Sequence, residues 1–312
     1  LVADGLAEEG LALLKKNPNL VLEAHDAIDR TELKEKLPDV NILIVRSRTV
    51  VDKDLLERGR TLRLVLRAGI GLDNVDLNAA TERAVVVMNA PTGNIVTTAE
   101  HTIAMIFAVS RHIPQADANI RQGKWDKKKF QGNELRGKTL GVVGLGNIGK
   151  AVAERAHGVG MKVIGSDPYI SEEAALKFNV NLRKLDDVLA ESDYVTVHVP
   201  LSAGTQNLIG KAAMKKMKKG AFLINCARGG IVEEAALVEA LQSGHLAGAA
   251  LDVFEKEPPA KDNPLLALQS VVLTPHLGAS TDEAQVQVSL EVAEQIALFV
   301  GEGVLKNAIN VP

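Results

Sequence analysis

Short apolar runs recur along this chain in two series, and segments with helical periodicity separate most of them. The first series is LVADG, NLVLEAH, VNILIV, LRLVLRAG and AVVVMNAP, which closes near residue 91. The second is TLGVVG, MKVIGSD, YVTVHVP, AFLINCA, AGAALDV and SVVLTPH, which closes near residue 276. Because strands that alternate with helices form parallel sheets covered on both faces, the pattern predicts an α/β fold with two parallel sheets.

A long helical segment follows each series. The first is NIVTTAEHTIAMIFAVSRHIPQADANIRQGKW, which we expect to be helical throughout, and the second is TDEAQVQVSLEVAEQIALFVGEG. Proline and glycine in NAPTG and HLGAS lie at the junctions and suit hinges between domains. The sequence therefore predicts two Rossmann-like or flavodoxin-like domains, 1–91 plus 278–312 and 92–277, linked by two crossing helices.

Composition limits the classes of protein to which the chain can belong. Hydrophobic residues make up 46% and charged residues 24%, which predicts a globular fold with a buried core. A formal net charge of −3 gives no reason to expect nucleic acid or an anionic membrane as a partner. Cys226 is the single cysteine, which excludes an internal disulfide and favours a reducing, cytoplasmic location. The chain begins with Leu1 rather than Met, and we expect a few residues to precede it.

The run GVVGLGNIGKAVAERAHGVGMKVIGSDP at 141–168 carries three glycines in the spacing G-x-G-x-x-G, between a strand and a helix. Gly144 would permit a tight turn, Gly146 would let the backbone approach a pyrophosphate, and Gly149 would let the helix pack on the strand. Asp167 ends the next strand, where its carboxylate can accept the ribose hydroxyls. The helix N-terminus adds free N–H groups for the phosphates. This context predicts a dinucleotide site; the alternative is a glycine turn that only joins strand to helix.

Three ionisable side chains further along could oxidise a 2-hydroxy acid, which loses a hydride from C2 and a proton from its hydroxyl. Arg228 follows the strand FLINCA, and its planar guanidinium can bind a carboxylate through two hydrogen bonds. His276 in TPHLG also ends a strand, and a neutral imidazole can accept a proton near neutral pH. Glu257 could orient that imidazole, but the spacing alone does not bring the two together. Taken singly, each residue is also typical of a surface ion pair, a turn or a solvated position.

Five blocks resemble the D-isomer-specific 2-hydroxyacid dehydrogenases: RAGIGLDNVDL, GLGNIG, NCARGGIVEEAAL, GAALDVFEKEPP and TPHLGAST. The resemblance extends over essentially the whole chain. It implies NAD as the cofactor, no metal, and catalytic roles for Arg228, Glu257 and His276. The implied cofactor contacts are Gly144, Gly146, Asn147, Ile148, Gly149, Asp167, Val199, Pro200, Thr205, Cys226, Ala227, Asp252, Gly278 and Ala279. The implied substrate contacts are the backbone of Ala68, Gly69 and Ile70, together with Asn94.

The same resemblance assigns 92–277 to NAD and the remaining residues to the substrate. It implies oxidation of a phosphorylated three-carbon 2-hydroxy acid to the 2-keto acid. A dianionic phosphate in a net-negative protein needs local positive charge, for which Arg46 and Arg67, each after an apolar strand, are the leading candidates. Arg48 and Lys127–Lys129 are weaker candidates. Two alternatives stay open: a reductase of glyoxylate or hydroxypyruvate, and an NAD-sensing corepressor that binds peptides.

Assembly and chain length are further expectations. Residues 94–112 are apolar on more than one face, which indicates burial within the chain or against a partner. The resemblance implies a homodimer, or a higher homo-oligomer, through the NAD-binding domains, with the segment GKWDKKKF extending toward the neighbour. Long family members continue past NAINVP into a regulatory region, so the chain is either a short form or a catalytic portion.

Four further histidines and the cysteine are given no chemical role. His198 ends the strand VTVHVP and is interpreted as structural. His101, His112 and His157 are expected on helices without a functional role. Cys226 is expected to be a small buried residue whose backbone lies near the nicotinamide, because no neighbouring base suggests an activated thiol.

The cofactor preference follows from Asp167. Its carboxylate should repel the 2′-phosphate of NADP(H), and the segment SDPYIS supplies no Arg or Lys directly after it. We expect kcat/KM to be at least about tenfold higher with NAD(H), equivalent to one poorly compensated charge contact of roughly 1.4 kcal/mol. Steady-state kinetics with both cofactors under identical conditions measure this ratio. Equal efficiency with the two would contradict the prediction.

Overall fold

The computed structural model describes residues 1–311, which separate into two compact units. The terminal unit consists of Leu1–Asn94 together with the segment from Ala279 onward, and the central unit is Ile95–Gly278. The sequence-based boundaries, after residues 91 and 277, lie three residues and one residue before these. The assignment of one unit to the substrate and the other to NAD stays a prediction at this point.

The terminal unit is built on a parallel sheet that has three strands within residues 1–94. The strands are β1 (Ile42–Val45), β2 (Leu64–Arg67) and β3 (Val86–Asn89), in that order across the sheet. Numbered in chain order, its helices are α1 (Glu8–Lys16), α2 (Arg30–Lys36), α3 (Lys53–Arg58), α4 (Leu77–Glu82) and α12 (Asp282–Glu302), with a 3₁₀ helix at Leu37–Asp39. Val45 pairs with Arg67, and Arg67 with Asn89, so the carboxyl ends of the strands form one edge.

Two predicted strands of this unit, LVADG and NLVLEAH, are reduced to single bridges. Val2 pairs in parallel with Ile44 on one side and with Ala24 on the other. Gly5 takes a left-handed φ of 68°, and its amide donates to the His25 carbonyl oxygen at 2.8 Å. The sheet is therefore extended at its β1 edge by bridges rather than by strands.

Both faces of this sheet are covered by helices through apolar side chains. One face packs against α1 and α12 through residues that include Leu66, Met88 and Ile296. The other face packs against α2, α3 and α4. The two helices α1 and α12 approach closely at Gly10, where a Cβ atom would lie 2.6 Å from the carbonyl oxygen of Ser289.

The central unit contains a parallel sheet that has seven strands within residues 95–278. The strands are β4 (Thr139–Val143), β5 (Lys162–Ser166), β6 (Asn181–Leu182), β7 (Tyr194–Val197), β8 (Ala221–Asn225), β9 (Leu246–Leu251) and β10 (Val271–Leu273). Their order across the sheet is β10-β9-β8-β7-β4-β5-β6. The order reverses between β4 and β7, the position at which open parallel sheets bind ligands. The predicted α/β class with two parallel sheets is thus confirmed, and only the two-residue edge strand β6 is added to the second series.

The helices of the central unit cover both faces of its sheet. They are α5 (Ile95–Arg111), α6 (Ile113–Arg121), α7 (Asn147–Gly158), α8 (Glu172–Leu176), α9 (Leu185–Glu191), α10 (Lys211–Lys216) and α11 (Glu234–Gln242), with 3₁₀ helices at Lys127–Phe130 and Pro264–Ala267. One apolar cluster lies under α5 and α7 and includes Tyr194 and Phe222, whose rings stack 4.9 Å apart. The other lies under α9, α10 and α11. Among the described residues no helix is long and apolar enough to cross a membrane.

The segment expected to be one long helix is broken into α5 and α6. His112, between them, adopts a left-handed φ of 53°. Pro114 explains the break, because it has no N–H to donate to the carbonyl of Ser110 and its ring would collide with that group. The Asn133 amide donates to the Ser110 carbonyl instead, at 2.9 Å. The expectation that His112 is helical is therefore wrong: it lies in the turn.

Candidate active site

The glycine motif forms the turn between β4 and α7. Gly144 has a left-handed φ of 95°, and a Cβ atom there would lie 2.6 Å from the carbonyl oxygen of His198. A Cβ atom at Gly149 would lie 2.0 Å from the Gly144 carbonyl oxygen, so α7 approaches β4 too closely for a side chain. Gly146 is the N-cap of α7, and a Cβ atom there would meet no described atom within 4 Å beyond its chain neighbours. The open side of the turn is therefore at Gly146, beside the free amides of the helix N-terminus.

Asp167 follows β5 directly and lies beside this turn. Its Oδ2 accepts a hydrogen bond from the Leu145 amide at 2.8 Å, and its Oδ1 accepts one from the Tyr169 amide at 2.8 Å. The half-buried carboxylate is thereby held next to the glycine turn. Asn147 and Ile148 are the first residues of α7. These groups fit a dinucleotide, because amides suit its phosphates and a carboxylate suits its ribose hydroxyls.

The loop after β7 begins at the reversal of the strand order. Thr205 Oγ1 donates to the Pro200 carbonyl oxygen at 2.5 Å and accepts the Ser202 amide at 2.8 Å, which closes the loop. His198 Nε2 lies 3.0 Å from Thr196 Oγ1. Burial lowers the pKa of His198 to about 4, so its ring is neutral near pH 7 and is unsuited to donate a proton there.

Arg228 is carried by a turn directly after β8. The Asn225 side chain closes that turn, because its Nδ2 donates to the Arg228 carbonyl oxygen at 2.9 Å and its Oδ1 accepts the Ala227 amide at 3.0 Å. Gly229 lies against the segment that follows β9, so closely that a Cβ atom would lie 1.7 Å from the Phe254 carbonyl oxygen. This close approach fixes the Arg228 turn beside that segment.

Cys226 begins the same turn and is buried. Burial and the neighbouring Asp252 charge raise the pKa of its thiol, and a hydrogen bond with Thr102 offsets only part of that rise. A thiol that stays protonated is a poor nucleophile. The structure therefore agrees with the interpretation of Cys226 as a buried residue without reactivity.

Glu257 and His276 meet in the central unit. Glu257 Oε2 lies 2.7 Å from His276 Nδ1, and Glu257 Oε1 accepts the Phe254 amide at 3.2 Å. Burial raises the pKa of Glu257, but the hydrogen bond to His276, the Phe254 amide and the Arg228 charge together bring that pKa below its usual value. The ionised carboxylate accepts the Nδ1–H hydrogen bond, so Nε2 is the ring nitrogen that can exchange a proton with a ligand. Arg228, Glu257 and His276 thus form one electrostatic cluster.

The turn that carries His276 is hydrogen-bonded to Asp252, the residue that directly follows β9. His276 has a left-handed φ of 55°, and its amide donates to the Asp252 main-chain oxygen at 2.8 Å. The Asp252 carboxylate accepts the next two amides, from Leu277 at 2.7 Å and Gly278 at 2.8 Å. The resemblance implies a cofactor contact for Asp252. In the structure its hydrogen bonds hold the turn at His276–Gly278 in place.

Arg46 and Arg67 belong to the terminal unit, at the carboxyl ends of β1 and β2. Val45 pairs with Arg67, so the two arginines are one residue apart along adjacent strands. The guanidinium of Arg67 lies over Gly69, where a Cβ atom would be 1.8 Å from Nη1. Gly69 also has a φ of 142°, which side chains rarely tolerate. A side chain at this position would displace the Arg67 guanidinium.

The turn Arg46–Thr49 is fixed from two sides. Asp4 Oδ2 accepts the amides of Arg46 and Thr49 at 2.7 and 3.0 Å, and Asp4 Oδ1 accepts the Thr49 hydroxyl at 2.6 Å. Asn74 Nδ2 donates to the carbonyl oxygens of both residues, each at 2.6 Å. Burial lowers the pKa of Arg46, although the Asp4 charge opposes this, and a guanidinium remains charged near neutral pH. Arg48 lies exposed within the turn.

The remaining predicted substrate contacts are also in the terminal unit. Asn89 at the end of β3 supports the loop at 68–70, because its Nδ2 donates to the Ile70 carbonyl oxygen at 2.7 Å. Asn94 is the last residue before α5, and its Oδ1 is buried without a hydrogen-bond partner among residues 1–311. A buried acceptor of this kind suits a donor group supplied by a ligand.

Sequence reasoning missed the residues that support these turns. His101 and Thr274 both contact the Asp252 carboxylate, and Asp4 and Asn74 hold the Arg46 turn. Polar residues directly after apolar strands were a usable signal for Thr274 and Asp4. His101 gave no such signal, because the buried face of a helix is known only once the helix is packed.

Comparison with known proteins identifies the family. Residues 103–278, more than half of the chain, match the model of the D-isomer specific 2-hydroxyacid dehydrogenase, NAD binding domain. The chain therefore belongs to the D-isomer-specific 2-hydroxyacid dehydrogenase family, and its central unit carries the family's NAD-binding domain. NAD is thus the cofactor class that the family match supports.

Individual relatives narrow the comparison. D-3-phosphoglycerate dehydrogenase of Archaeoglobus fulgidus is 49% identical over 312 residues, which is all of this chain but 59% of that protein. A solved protein of Thermus thermophilus is 34% identical with a TM-score of 0.88, covering 99% of this chain and 98% of that one. D-lactate dehydrogenase of Aquifex aeolicus, solved with NAD and lactic acid, is 27% identical with a TM-score of 0.88, covering 100% and 99%. The chain thus spans less than two thirds of the first relative and nearly all of the two solved structures.

Replacing His276 should remove proton transfer and leave cofactor binding. We expect His276→Ala to lower kcat by on the order of 10²–10⁴, the usual contribution of a general acid–base group, with little change in NADH affinity. Glu257→Gln should shift the pH optimum of keto-acid reduction downward, because the protonated imidazole loses its carboxylate partner. Kinetics across a pH series and NADH titration by fluorescence measure both effects. His157→Ala on α7 is the control, and a His276→Ala protein that keeps most of its turnover would show the assignment to be wrong.

Proposed function

We propose that this chain is the catalytic part of a cytoplasmic, NAD-dependent D-3-phosphoglycerate dehydrogenase. The reaction is oxidation of D-3-phosphoglycerate to 3-phosphohydroxypyruvate, the first step of the phosphorylated route of serine biosynthesis. The observation that carries the reaction type is the 2.7 Å contact between Glu257 Oε2 and His276 Nδ1. The choice of substrate is supported by the similarity to the Archaeoglobus fulgidus enzyme.

In this proposal His276 Nε2 accepts the proton of the substrate hydroxyl while the C2–H bond breaks. The ionised Glu257 stabilises the imidazolium that forms and keeps the ring in one orientation. Arg228 binds the substrate carboxylate through two parallel hydrogen bonds, which fixes C2. NAD supplies the acceptor for the hydride that leaves C2. In the reverse direction His276 returns the proton to the carbonyl oxygen.

The groups proposed to hold the cofactor come from the turns described above. The amides at the start of α7 would bind the pyrophosphate, Asp167 would accept the ribose hydroxyls, and the turn at Cys226 and Ala227 would hold the nicotinamide. The full set is Gly144, Gly146, Asn147, Ile148, Gly149, Asp167, Val199, Pro200, Thr205, Cys226, Ala227, Asp252, Gly278 and Ala279. Open space at Gly146 and the fixed carboxylate of Asp167 support this assignment.

The substrate phosphate is proposed to bind Arg46 and Arg67. Arg46 follows β1 directly and Arg67 is the last residue of β2. The support comes from their fixed surroundings: Arg46 begins a turn that Asp4 and Asn74 hold, and Arg67 lies over Gly69. Preorganised guanidinium groups lose less conformational entropy on binding than mobile surface arginines. The neighbouring loop, with Ala68, Gly69 and Ile70, and Asn94 complete the proposed substrate contacts.

A second candidate is a dehydrogenase or reductase of an unphosphorylated acid such as glyoxylate or hydroxypyruvate. The observation in its favour is the TM-score of 0.88 to the Aquifex aeolicus D-lactate dehydrogenase, a structure that contains lactic acid. Such a substrate uses the same Arg228, Glu257 and His276 chemistry but presents no phosphate to Arg46 and Arg67.

The two candidates differ in what Arg67 does. If a phosphate binds there, Arg67→Ala should lower kcat/KM for phosphohydroxypyruvate. The loss of transition-state stabilisation should be roughly 2–4 kcal/mol, the range for removing a charged partner in a desolvated site. Activity toward glyoxylate should hardly change, because glyoxylate has no phosphate group that could contact Arg67. A kcat/KM panel over phosphohydroxypyruvate, hydroxypyruvate, glyoxylate and pyruvate with NADH tests this, with Arg83→Ala as an exposed control in the same unit. Preference of the unaltered protein for an unphosphorylated acid, or equal losses for all substrates, would favour the second candidate.

A homodimer formed through the central units is proposed as the active assembly. Trp125, between α6 and the 3₁₀ helix at Lys127–Phe130, is 82% exposed, which is unusual for so large an apolar side chain. Light scattering should give twice the chain mass of 33.2 kDa at micromolar concentration. Trp125→Ala should weaken the dimer, whereas Tyr169→Ala, at another highly exposed aromatic, should not. A monomeric unaltered protein would contradict the dimer.

A further inference from the structure

The turn of His276 has a conformation that needs support. His276 carries a side chain at a φ of 55°, a conformation that residues other than glycine rarely adopt unless their surroundings hold them there. Asp252 provides that support by accepting the amides of His276, Leu277 and Gly278 in succession. The position of the His276 ring relative to Glu257 therefore depends on the position of the Asp252 carboxylate.

Asp252 is itself a completely buried charge. Burial raises the pKa of a carboxyl group, but hydrogen bonds from His101, Thr274 and the Leu277 amide bring the pKa of Asp252 below its usual value. A buried carboxylate that loses a donor moves or takes up a proton, because leaving it uncompensated is costly. The position of the Asp252 carboxylate is therefore set by its side-chain donors together with the Leu277 and Gly278 amides.

Two side chains approach the same oxygen, Asp252 Oδ1. Thr274 Oγ1 donates to it at 2.6 Å, and His101 Nε2 lies 3.2 Å from it and 3.2 Å from Thr274 Oγ1. Since the Thr274 proton is used toward Asp252, the His101 Nε2–H is shared between the carboxylate and the Thr274 oxygen. His101 is thus a second donor to a network that ends at the amides of the His276 turn.

We propose that His101 on α5 is a positioning residue that acts through Asp252 to hold the turn of His276. The polar contacts of His101 are with Thr274 and Asp252, so its effect on His276 passes through the carboxylate that holds the turn. The inference rests on the proposed role of His276 for its kinetic consequence, but the structural consequence, ordering of residues 276–278, is independent of any reaction.

The experiment compares His101→Leu, which removes the donor, with His101→Gln, whose amide nitrogen reaches a similar distance and restores it. Amide hydrogen exchange of the protein without cofactor or substrate reports on the Leu277 and Gly278 amides. We expect exchange there to be about tenfold faster in His101→Leu, as for loss of one hydrogen bond to a charged group, and to return toward the original rate in His101→Gln. His157→Leu on α7 should leave it unchanged.

Kinetics of the same proteins give the second measurement. His101→Leu should lower kcat for keto-acid reduction by about tenfold, with KM and NADH affinity within about twofold, because only the orientation of the proton donor is disturbed. His101→Gln should recover most of the loss. If His101→Leu does not fold, His101→Asn, which is too short to reach Oδ1, replaces it in the comparison with His101→Gln.

The outcomes separate this inference from the proposed function. Unchanged exchange at residues 276–278 in the donor-less variant would overturn the positioning role, as would a loss of activity that His101→Gln fails to restore. A different result would refute only the proposed reaction. If exchange is faster in His101→Leu but the unaltered protein reduces none of the keto acids, the positioning role of His101 stands and the proposed reaction is wrong.

Discussion

The buried carboxylate of Asp252 is the interaction on which the geometry of the candidate site depends. Asp252 accepts three consecutive amides, from His276 to Gly278, on its main-chain oxygen and its carboxylate. It thereby stabilises a left-handed conformation at His276 that the residue would not choose alone. Breaking such a buried charged network typically costs about 3–5 kcal/mol, so the turn is held firmly. The same turn carries the His276 ring whose Nδ1 lies 2.7 Å from Glu257 Oε2.

Close backbone contacts impose a second constraint on the same edge of the sheet. Gly144, Gly149 and Gly229 each lie where a Cβ atom would penetrate a neighbouring carbonyl group. Each contact joins a strand end to another element: β4 to the loop after β7, α7 to the glycine turn, and the Arg228 turn to the segment after β9. The absence of side chains at these positions lets the polar turns of the central unit pack closely along the carboxyl edge of its parallel sheet.

The terminal unit uses the same physical device for a different purpose. Asp4 accepts the amides and Asn74 donates to the carbonyl oxygens at both ends of the turn Arg46–Thr49, whereas Asp252 accepts the amides of the His276 turn. In both units a short polar side chain after or before a strand converts a flexible loop into a fixed one. The groups proposed for chemistry and for phosphate recognition are therefore preorganised separately, which allows substrate preference to change without altering the proton-transfer pair.

The sequence by itself determined the α/β class, the strands of both sheets apart from the two reduced to bridges and the short β6, and the glycine turn with Asp167. These features are local: strand periodicity, the positive φ of glycine and the spacing from strand to helix act within about thirty residues in such units. Tertiary structure decided the rest. The contact of Glu257 with His276 and the contacts of His101 on α5 with Asp252 and Thr274 join residues through packing that no local pattern encodes. The break at His112 has a local cause, Pro114, although the sequence pattern predicted a continuous helix there. Which face of α5 is buried, and which polar side chain it thereby presents to a distant strand end, is fixed only when the helix lies on β9 and β10, because hydrophobic burial is a property of the assembled layers.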